Sequence, residues 1–208
     1  RRDRCGSVTR ADGQMSVPVG AAPEISPTHA WTGSRYINTA APQPQDMSLW
    51  DIATGLAREP RYGGAATSIF WSVGQHSVLQ VRLMREDGIE DPVLLRTALM
   101  HDAPEYMLRD MIAPVKRQCP DYKRLEGVWW AAMAERWDLP GVLPDIVKKY
   151  DLFTMGVEKA ALISPRAGDW PGVPKVTERP IPNDLLFASM QDTFQEFLRE
   201  SKMLGIGQ

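Results

Sequence analysis

The chain has 208 residues, a formal net charge of −2 and a hydrophobic fraction of 43%. This length favours one domain with its own core, and the near-neutral charge gives no overall basic field that would favour long nucleic acids, although it permits a local basic pocket for a small nucleotide. Two distant cysteines, Cys5 and Cys119, form no CxxC pair and favour a reducing cytoplasm. No apolar run reaches the ~20 residues that span a bilayer, so we expect no membrane partner.

The N-terminal part of the chain is rich in Gly, Ser, Ala and Pro and shows no hydrophobic periodicity. We therefore predict a flexible segment over residues 1–30, followed by a single domain over residues 31–208. His29 is predicted to lie at the surface rather than to bind a ligand. The stretch over residues 31–37 is predicted to be extended or to form a hairpin.

The first helix is predicted over Leu49–Arg58, because apolar residues recur there at three- and four-residue spacing. Ser48 suits its N-cap, and Pro60 ends it. Arg61 and Tyr62 then fall in the following turn. One interpretation of Arg61 is an exposed salt bridge. We favour a phosphate contact, because the planar guanidinium matches phosphate oxygens.

A second helix is predicted over residues 67–85, and it carries a histidine on its apolar face. His76 lies seven residues after Ile69 and three after Val73, so one helix would turn all three toward the core. The sequence thus predicts an ionisable side chain in an apolar interior, which is costly unless it has a partner.

The next helix is predicted to begin at the Asp-Pro pair of residues 91–92 and to end in polar residues. His101 and Asp102 are adjacent and can lean toward one point, and Glu105 follows one turn later. Pro104 can open a new short helix that contains Glu105. A single His-Asp pair at a helix end is common, but this polar cluster ends a core helix and therefore favours a binding site.

Three further helices are predicted, over residues 121–137, over residues 145–163 and from Asn183 onward. The first carries tryptophans that we interpret as packing or interface residues: Trp129, Trp130 and Trp137. In the second, Asp151 lies among apolar neighbours, and we predict that it faces inward rather than toward solvent. The proline-rich stretch over residues 164–182 is predicted to be a loop. Few strand-like alternations occur, so the predicted fold is all-α.

Histidine, histidine–aspartate and aspartate thus lie on three separate predicted helices, and such side chains can converge on one ion in a helical bundle. Two imidazole nitrogens and two carboxylates suit a divalent ion such as Co, Mn, Zn, Ni, Fe or Mg. We predict that the ligands of one such ion are His76, His101, Asp102 and Asp151.

The order H … HD … D resembles that of the HD-domain metal-dependent phosphohydrolases. The stretch HDAPEYMLRDMIAPVK, residues 101–116, is similar to the HDxxExxxxD…PxK segment of the branch that contains 5′-deoxynucleotidases and phage deoxynucleoside triphosphohydrolases. Arg61, which precedes His76 and is followed by an aromatic residue, also fits that branch. The resemblance covers roughly residues 31–163 and implies an HD-domain helical bundle with a metal site at its centre. One departure is Arg109, where a small residue, often glycine, is expected. An arginine there would narrow the pocket or add positive charge to it.

The resemblance also implies an activity and residue roles. The enzyme would release phosphate or tripolyphosphate from (deoxy)nucleoside 5′-phosphates, as a 5′-nucleotidase or a dNTP triphosphohydrolase. Glu105 or Asp110 would orient the nucleophile or transfer the proton. Arg61 and Lys116 would hold phosphate oxygens, and Tyr62 would pack against the sugar or base. For Lys116, a solvated surface charge is the competing interpretation.

Two other functions remain open. A cyclic-nucleotide or dinucleotide phosphodiesterase of the related families usually recruits extra histidines for a second metal, and His29 is the only other histidine here. A non-catalytic helical module would bind metal or nucleotide without turnover. A homo-oligomer, dimer or higher, is expected from the seven tryptophans and the aromatic helix over residues 121–137.

Overall fold

A computed structural model describes residues 26–207 of the chain. The all-α class is confirmed: in this range the regular structure is helical apart from one antiparallel hairpin, β1 (His29–Trp31) with β2 (Tyr36–Asn38). The predicted flexible segment lies mostly outside the described residues, and β1 begins within its last two positions. The helices are α1 (Leu49–Arg58), α2 (Val73–Glu86), α3 (Pro92–Met100), α4 (Glu105–Leu108), α5 (Ala113–Lys116), α6 (Pro120–Trp137), α7 (Asp145–Leu162), α8 (Asn183–Leu186) and α9 (Met190–Met203).

Helix α1 begins and ends as predicted, because short-range signals define both ends. The Ser48 hydroxyl accepts the N–H of Asp51, and Pro60 follows the C-cap. A 3₁₀ turn over Arg61–Gly64 comes next, and within it Tyr62 adopts a φ of 58°. The chain therefore leaves α1 through a sharp turn that bears two of the predicted substrate residues.

Helix α2 begins six residues later than predicted. Ser72 and Gln75 form a capping box in which each side chain accepts the other residue's N–H, and this box starts the helix at Val73 rather than at residue 67. The residues before Ser72 instead pair with the segment around Arg61 and with the residue after α7. These long-range pairings replace the first predicted turns, so the prediction that Ile69 shares a helical face with His76 is wrong.

Helix α2 lies at the centre of the bundle and packs against α1, α3, α7 and α9. Its residues over positions 73–81 are all buried, and His76 lies in the middle of that stretch. Apolar side chains from the surrounding helices complete the core, among them Leu56, Leu99, Met133 and Phe197. Across positions 26–207, no helix is long and apolar enough to cross a membrane.

Helices α3, α4 and α6 follow the predicted pattern, and the short helix α5 was not predicted. The Asp91 carboxylate caps α3, and Pro104 precedes α4, which carries Glu105. The predicted packing residues of α6 are all buried: Trp129, Trp130 and Trp137. The expectation of a homo-oligomer rested partly on aromatic side chains of this helix at the surface, and the burial of its tryptophans removes that argument.

The end of the chain differs from the prediction of one helix from Asn183. The chain forms the short α8, exposes Phe187, and starts again at α9. Ser189 and Asp192 form a second capping box there. Because this box supplies a complete helix start, one predicted helix is two, whereas the predicted loop over residues 164–182 contains only one 3₁₀ turn.

Candidate metal centre

The imidazole of His76, on α2, has one ring nitrogen fixed by a hydrogen bond. Its Nδ1 lies 2.7 Å from Oε1 of Glu158 on α7. An ionised carboxylate can only accept, so Nδ1 carries the proton and the lone pair lies on Nε2. That Nε2 atom is buried and has no hydrogen-bond partner among the described residues.

His101 presents its Nε2 in the same way from the C-terminal end of α3. Its Nδ1 donates to the carbonyl oxygen of Ala98 at 2.8 Å, which fixes the same tautomer. Within residues 26–207, Nε2 of His101 is likewise buried without a hydrogen bond. The centroids of the two imidazole rings are 5.4 Å apart. Two nitrogen lone pairs are therefore available at one buried point.

Two carboxylates border these nitrogens. Oδ1 of Asp151 lies 3.2 Å from Nε2 of His76 and 3.9 Å from Nε2 of His101. Oδ2 of Asp102 lies 3.2 Å from Nε2 of His101 and 3.8 Å from Nε2 of His76. One ligand atom each of His76, His101 and Asp151 lie within 4.8 Å of one another, so these three could hold a metal ion. Buried nitrogens without hydrogen bonds, beside carboxylates, fit a first-row divalent ion.

The cluster attracts positive charge. Burial lowers the pKa of both histidines, but the surrounding carboxylates outweigh it and the pKa of His76 and of His101 is raised. Burial alone would raise the pKa of Asp102 and of Asp151, yet the adjacent histidines lower both. Protons and a divalent ion therefore compete for the same imidazole nitrogens.

Arg61 reaches this cluster from the turn after α1. Its side chain is only 7% exposed, Nη1 lies 3.0 Å from Oδ2 of Asp102, and Nε lies 3.5 Å from Oε2 of Glu158. Burial opposes the charged form, but Glu158 and other nearby groups raise the pKa of Arg61 well above its usual value. The structure thus places a buried, charged guanidinium next to Asp102, not the exposed salt bridge that was the alternative.

Tyr62 connects the cluster with the loop after α7. Its backbone has φ 58° and ψ 33°, a left-handed conformation that non-glycine residues seldom adopt. Its hydroxyl donates to Oε2 of Glu158, and its N–H donates to Oδ2 of Asp110 at 3.1 Å. The tyrosine ring packs against Trp170, with centroids 5.6 Å apart. Strained backbone held by contacts on several sides is typical of functional sites.

Glu158 is the residue of this centre that the sequence analysis missed. Its side chain is fully buried. Four side chains contact its two oxygens: His76, Trp71, Tyr62 and Arg61. It lies seven residues after Asp151, so both acids share one face of α7. That spacing of two acids on an apolar helix was the available signal.

Glu105 and Asp110 lie beside the metal cluster, near Asp102. Oε2 of Glu105 is buried and makes no hydrogen bond in the described part of the chain. Burial, together with the negative charges of Asp102 and Asp110, raises the pKa of Glu105 well above its usual range. The N–H of Asp110 donates to Glu59 at 3.0 Å, and burial raises the pKa of Asp110 despite the charge of Arg61. Both carboxyl groups therefore hold their protons more tightly than exposed acids do.

Lys116, predicted to bind phosphate, contacts two carboxylates in this structure. Its Nζ lies 2.5 Å from Oε1 of Glu126 on α6 and 3.8 Å from Oε1 of Glu105. The carboxylate of Glu126 already neutralises the charge of Lys116, which weakens its attraction for a phosphate oxygen. The structure therefore brings it to the edge of the site without assigning it the predicted contact.

Arg109, the departure from the family pattern, has φ 76° and ψ 153°, a region that favours glycine. Its guanidinium pairs with Glu59 at 2.7 Å, and its side chain is 69% exposed. Because Glu59 also accepts the N–H of Asp110, Arg109 contributes to the position of that aspartate from the outside.

No protein-family model matches the chain. The uncharacterized protein YfdR of Escherichia coli (strain K12) is 37% identical over 132 residues, which cover 62% of this chain and 70% of YfdR. An uncharacterized protein of Rhodobacter capsulatus is 40% identical over 119 residues, 55% of this chain and 60% of that relative. At this identity and coverage, the chain belongs to the same protein family as YfdR.

Proposed function

We propose that this protein is a metal-dependent phosphohydrolase that acts on nucleoside or deoxynucleoside 5′-phosphates. The observation that carries the proposal is the pair of buried Nε2 atoms of His76 and His101. Both face carboxylates, and the charged guanidinium of Arg61 lies against the same cluster. A cation at the histidines and a guanidinium beside it would together neutralise a phosphate group, which is the main requirement of phosphoryl transfer.

The ion would be held by His76, His101, Asp102 and Asp151. When bound, it would supply Lewis-acid polarisation of the phosphoryl group and lower the pKa of a coordinated water. Glu158 would keep His76 in the tautomer that ligation needs. The chain's own contribution is therefore a rigid, preformed ligand set.

Arg61 would bind the phosphate oxygens. Its position between Asp102 and Glu158 fixes the direction of its remaining N–H groups, so little side-chain entropy is lost when a phosphate binds. The ring of Tyr62, next to Arg61 and against Trp170, offers an aromatic surface for the sugar or base. This aromatic surface beside a phosphate-binding residue is what favours a nucleoside phosphate over a simple phosphate ester.

Glu105 and Asp110 would serve the proton transfers. A carboxyl group with a raised pKa can keep its proton near neutral pH and give it to a leaving oxygen, as Glu105 would do. Asp110, held by the N–H of Tyr62, would orient the attacking water. Amide variants of Glu105 and Asp110 would separate the two roles by the pH dependence of their activity.

The test is hydrolysis of a panel of nucleoside mono- and triphosphates, with both ribose and deoxyribose, by protein that has been stripped with a chelator and reloaded with single metals. The products are identified by chromatography. Orthophosphate would indicate a nucleotidase, and tripolyphosphate would indicate a triphosphohydrolase. Cyclic mononucleotides and dinucleotides in the same panel test the phosphodiesterase alternative. Measurable metal binding with no turnover of any substrate would contradict the proposal and favour a binding module.

A further inference from the structure

We infer that Glu158 is a positioning residue that couples the metal ligands to the phosphate-binding side of the site. Its Oε1 atom accepts hydrogen bonds from Nδ1 of His76 at 2.7 Å and from Nε1 of Trp71 at 2.9 Å. Its Oε2 atom receives the hydroxyl of Tyr62, and Nε of Arg61 lies 3.5 Å from it. One carboxylate thus orients a metal ligand with one oxygen and two substrate residues with the other. This inference rests on the proposed metal centre.

The coupling follows from the burial and charge of Glu158. The side chain is fully buried, so no water competes for its oxygens, and every contact acts in a low-dielectric interior. Both carboxylate oxygens are held by donors from other segments, so removal of one donor changes the orientation that the others meet. A substitution of Tyr62 should therefore alter the orientation of the His76 imidazole.

Tyr62 gives the sharpest test, because its hydroxyl bonds to Glu158 and to none of the proposed metal ligands. The hydroxyl can therefore affect metal affinity only through its neighbours, Glu158, which accepts its hydrogen bond, and Arg61, which lies over its ring. Tyr62→Phe removes only the hydroxyl oxygen and keeps the ring against Trp170. By contrast, Arg61 touches Asp102 directly, so its variants cannot isolate the coupling.

The experiment is titration of the chelator-stripped full chain with Co²⁺, followed by visible absorption of the bound ion, without substrate. We expect Glu158→Gln to weaken Co²⁺ binding by about 10- to 100-fold, because the amide places N–H groups opposite existing donors. We expect Tyr62→Phe to weaken it by a smaller factor, about two- to fivefold, because Glu158 then loses one of the donors that stabilise and orient it. Circular dichroism and thermal melting show whether each variant is folded.

Two controls match these variants in burial and chemistry. Glu200→Gln alters another buried carboxylate, which pairs with Arg85 on the side of the bundle formed by α9. Tyr106→Phe removes a buried hydroxyl that has no hydrogen-bond partner within residues 26–207. Both should bind Co²⁺ as the parent does.

The outcomes separate this inference from the proposed function. A parent protein that binds no Co²⁺ overturns both. A parent that binds Co²⁺, with unchanged affinity in folded Glu158→Gln and in Tyr62→Phe, overturns the coupling alone. If Glu158→Gln does not fold, the Tyr62→Phe titration decides, and an affinity equal to that of Tyr106→Phe counts against the coupling.

Discussion

Arg61 and Asp102 lie 41 positions apart in the sequence, and their side chains form an ion pair of 3.0 Å between Nη1 and Oδ2. The pair joins the residue proposed to bind phosphate to one proposed to bind the metal. A phosphate held by this guanidinium would lie next to the proposed metal ligand Asp102. On the proposed function, Arg61 would therefore contribute its position as well as its charge.

Arg61→Lys keeps the charge and tests this conclusion. We expect kcat/KM, measured at saturating metal, to fall on the order of 100-fold, because an ammonium cannot form the planar two-point contact. Arg82→Lys is the matched control, since Arg82 also pairs with two carboxylates, Asp184 and Glu196, away from the centre. Equal activity in the two variants would contradict the role of Arg61.

Asp102→Ala should abolish metal uptake and turnover together, because it removes a carboxylate that contacts both histidine nitrogens. Metal content by atomic emission and product release by chromatography measure the two effects. Asp184→Ala, at an exposed carboxylate paired with Arg82, should retain both. Turnover that survives in Asp102→Ala would show that the ligand assignment is wrong.

The dependence of activity on pH should identify the general acid. Burial and nearby carboxylates raise the pKa of Glu105, so its proton is present below that pKa and lost as the pH rises through it. Activity should therefore decline on the alkaline side, and Glu105→Gln should remove this decline while it lowers kcat by about 10²- to 10⁴-fold. Asp110→Asn should keep the alkaline decline. The reverse result would exchange the two roles.

Close packing of α1 against α4 gives a prediction about stability. A Cβ at Gly55 would lie 2.7 Å from Cβ of Tyr106, so Gly55→Ala should destabilise the fold by about 1–3 kcal/mol and displace the helix that carries Glu105. Gly127 lies in α6 with open space around it, and Gly127→Ala should stabilise the protein by about 0.5–1 kcal/mol. Denaturant unfolding measures both, and a shift of the same sign in the two variants would contradict the packing argument.

Local signals explain which parts of the fold the sequence predicts well. The N-cap Ser48 and the proline at position 60 each lie within two residues of an end of α1, and both ends agree with the prediction. The start of α2 was misplaced because pairing of residues 67–71 with distant segments competes with helix formation. That competition depends on tertiary contacts, which no short pattern contains.

The same distinction applies to the candidate site. Histidines in apolar helices are rare enough to indicate convergence, and the structure brings His76, His101 and Asp151 together. The role of Glu158 was not predicted, because its contacts come from two other segments of the chain, around Tyr62 and around His76. The pairing of Lys116 with Glu126 likewise depends on how α5 meets α6, and the sequence does not define that angle.

The burial of α2 has a consequence for the motions of the molecule. Residues 73–81 are buried at every position, so His76 cannot be released by fraying of a helix end. Its exposure requires the surrounding helices to separate, and amide hydrogen exchange in this stretch would proceed only through opening of the whole domain. A bound ion would accordingly leave past the partly exposed carboxylates of Asp102 and Asp151, while the buried histidine stays in place.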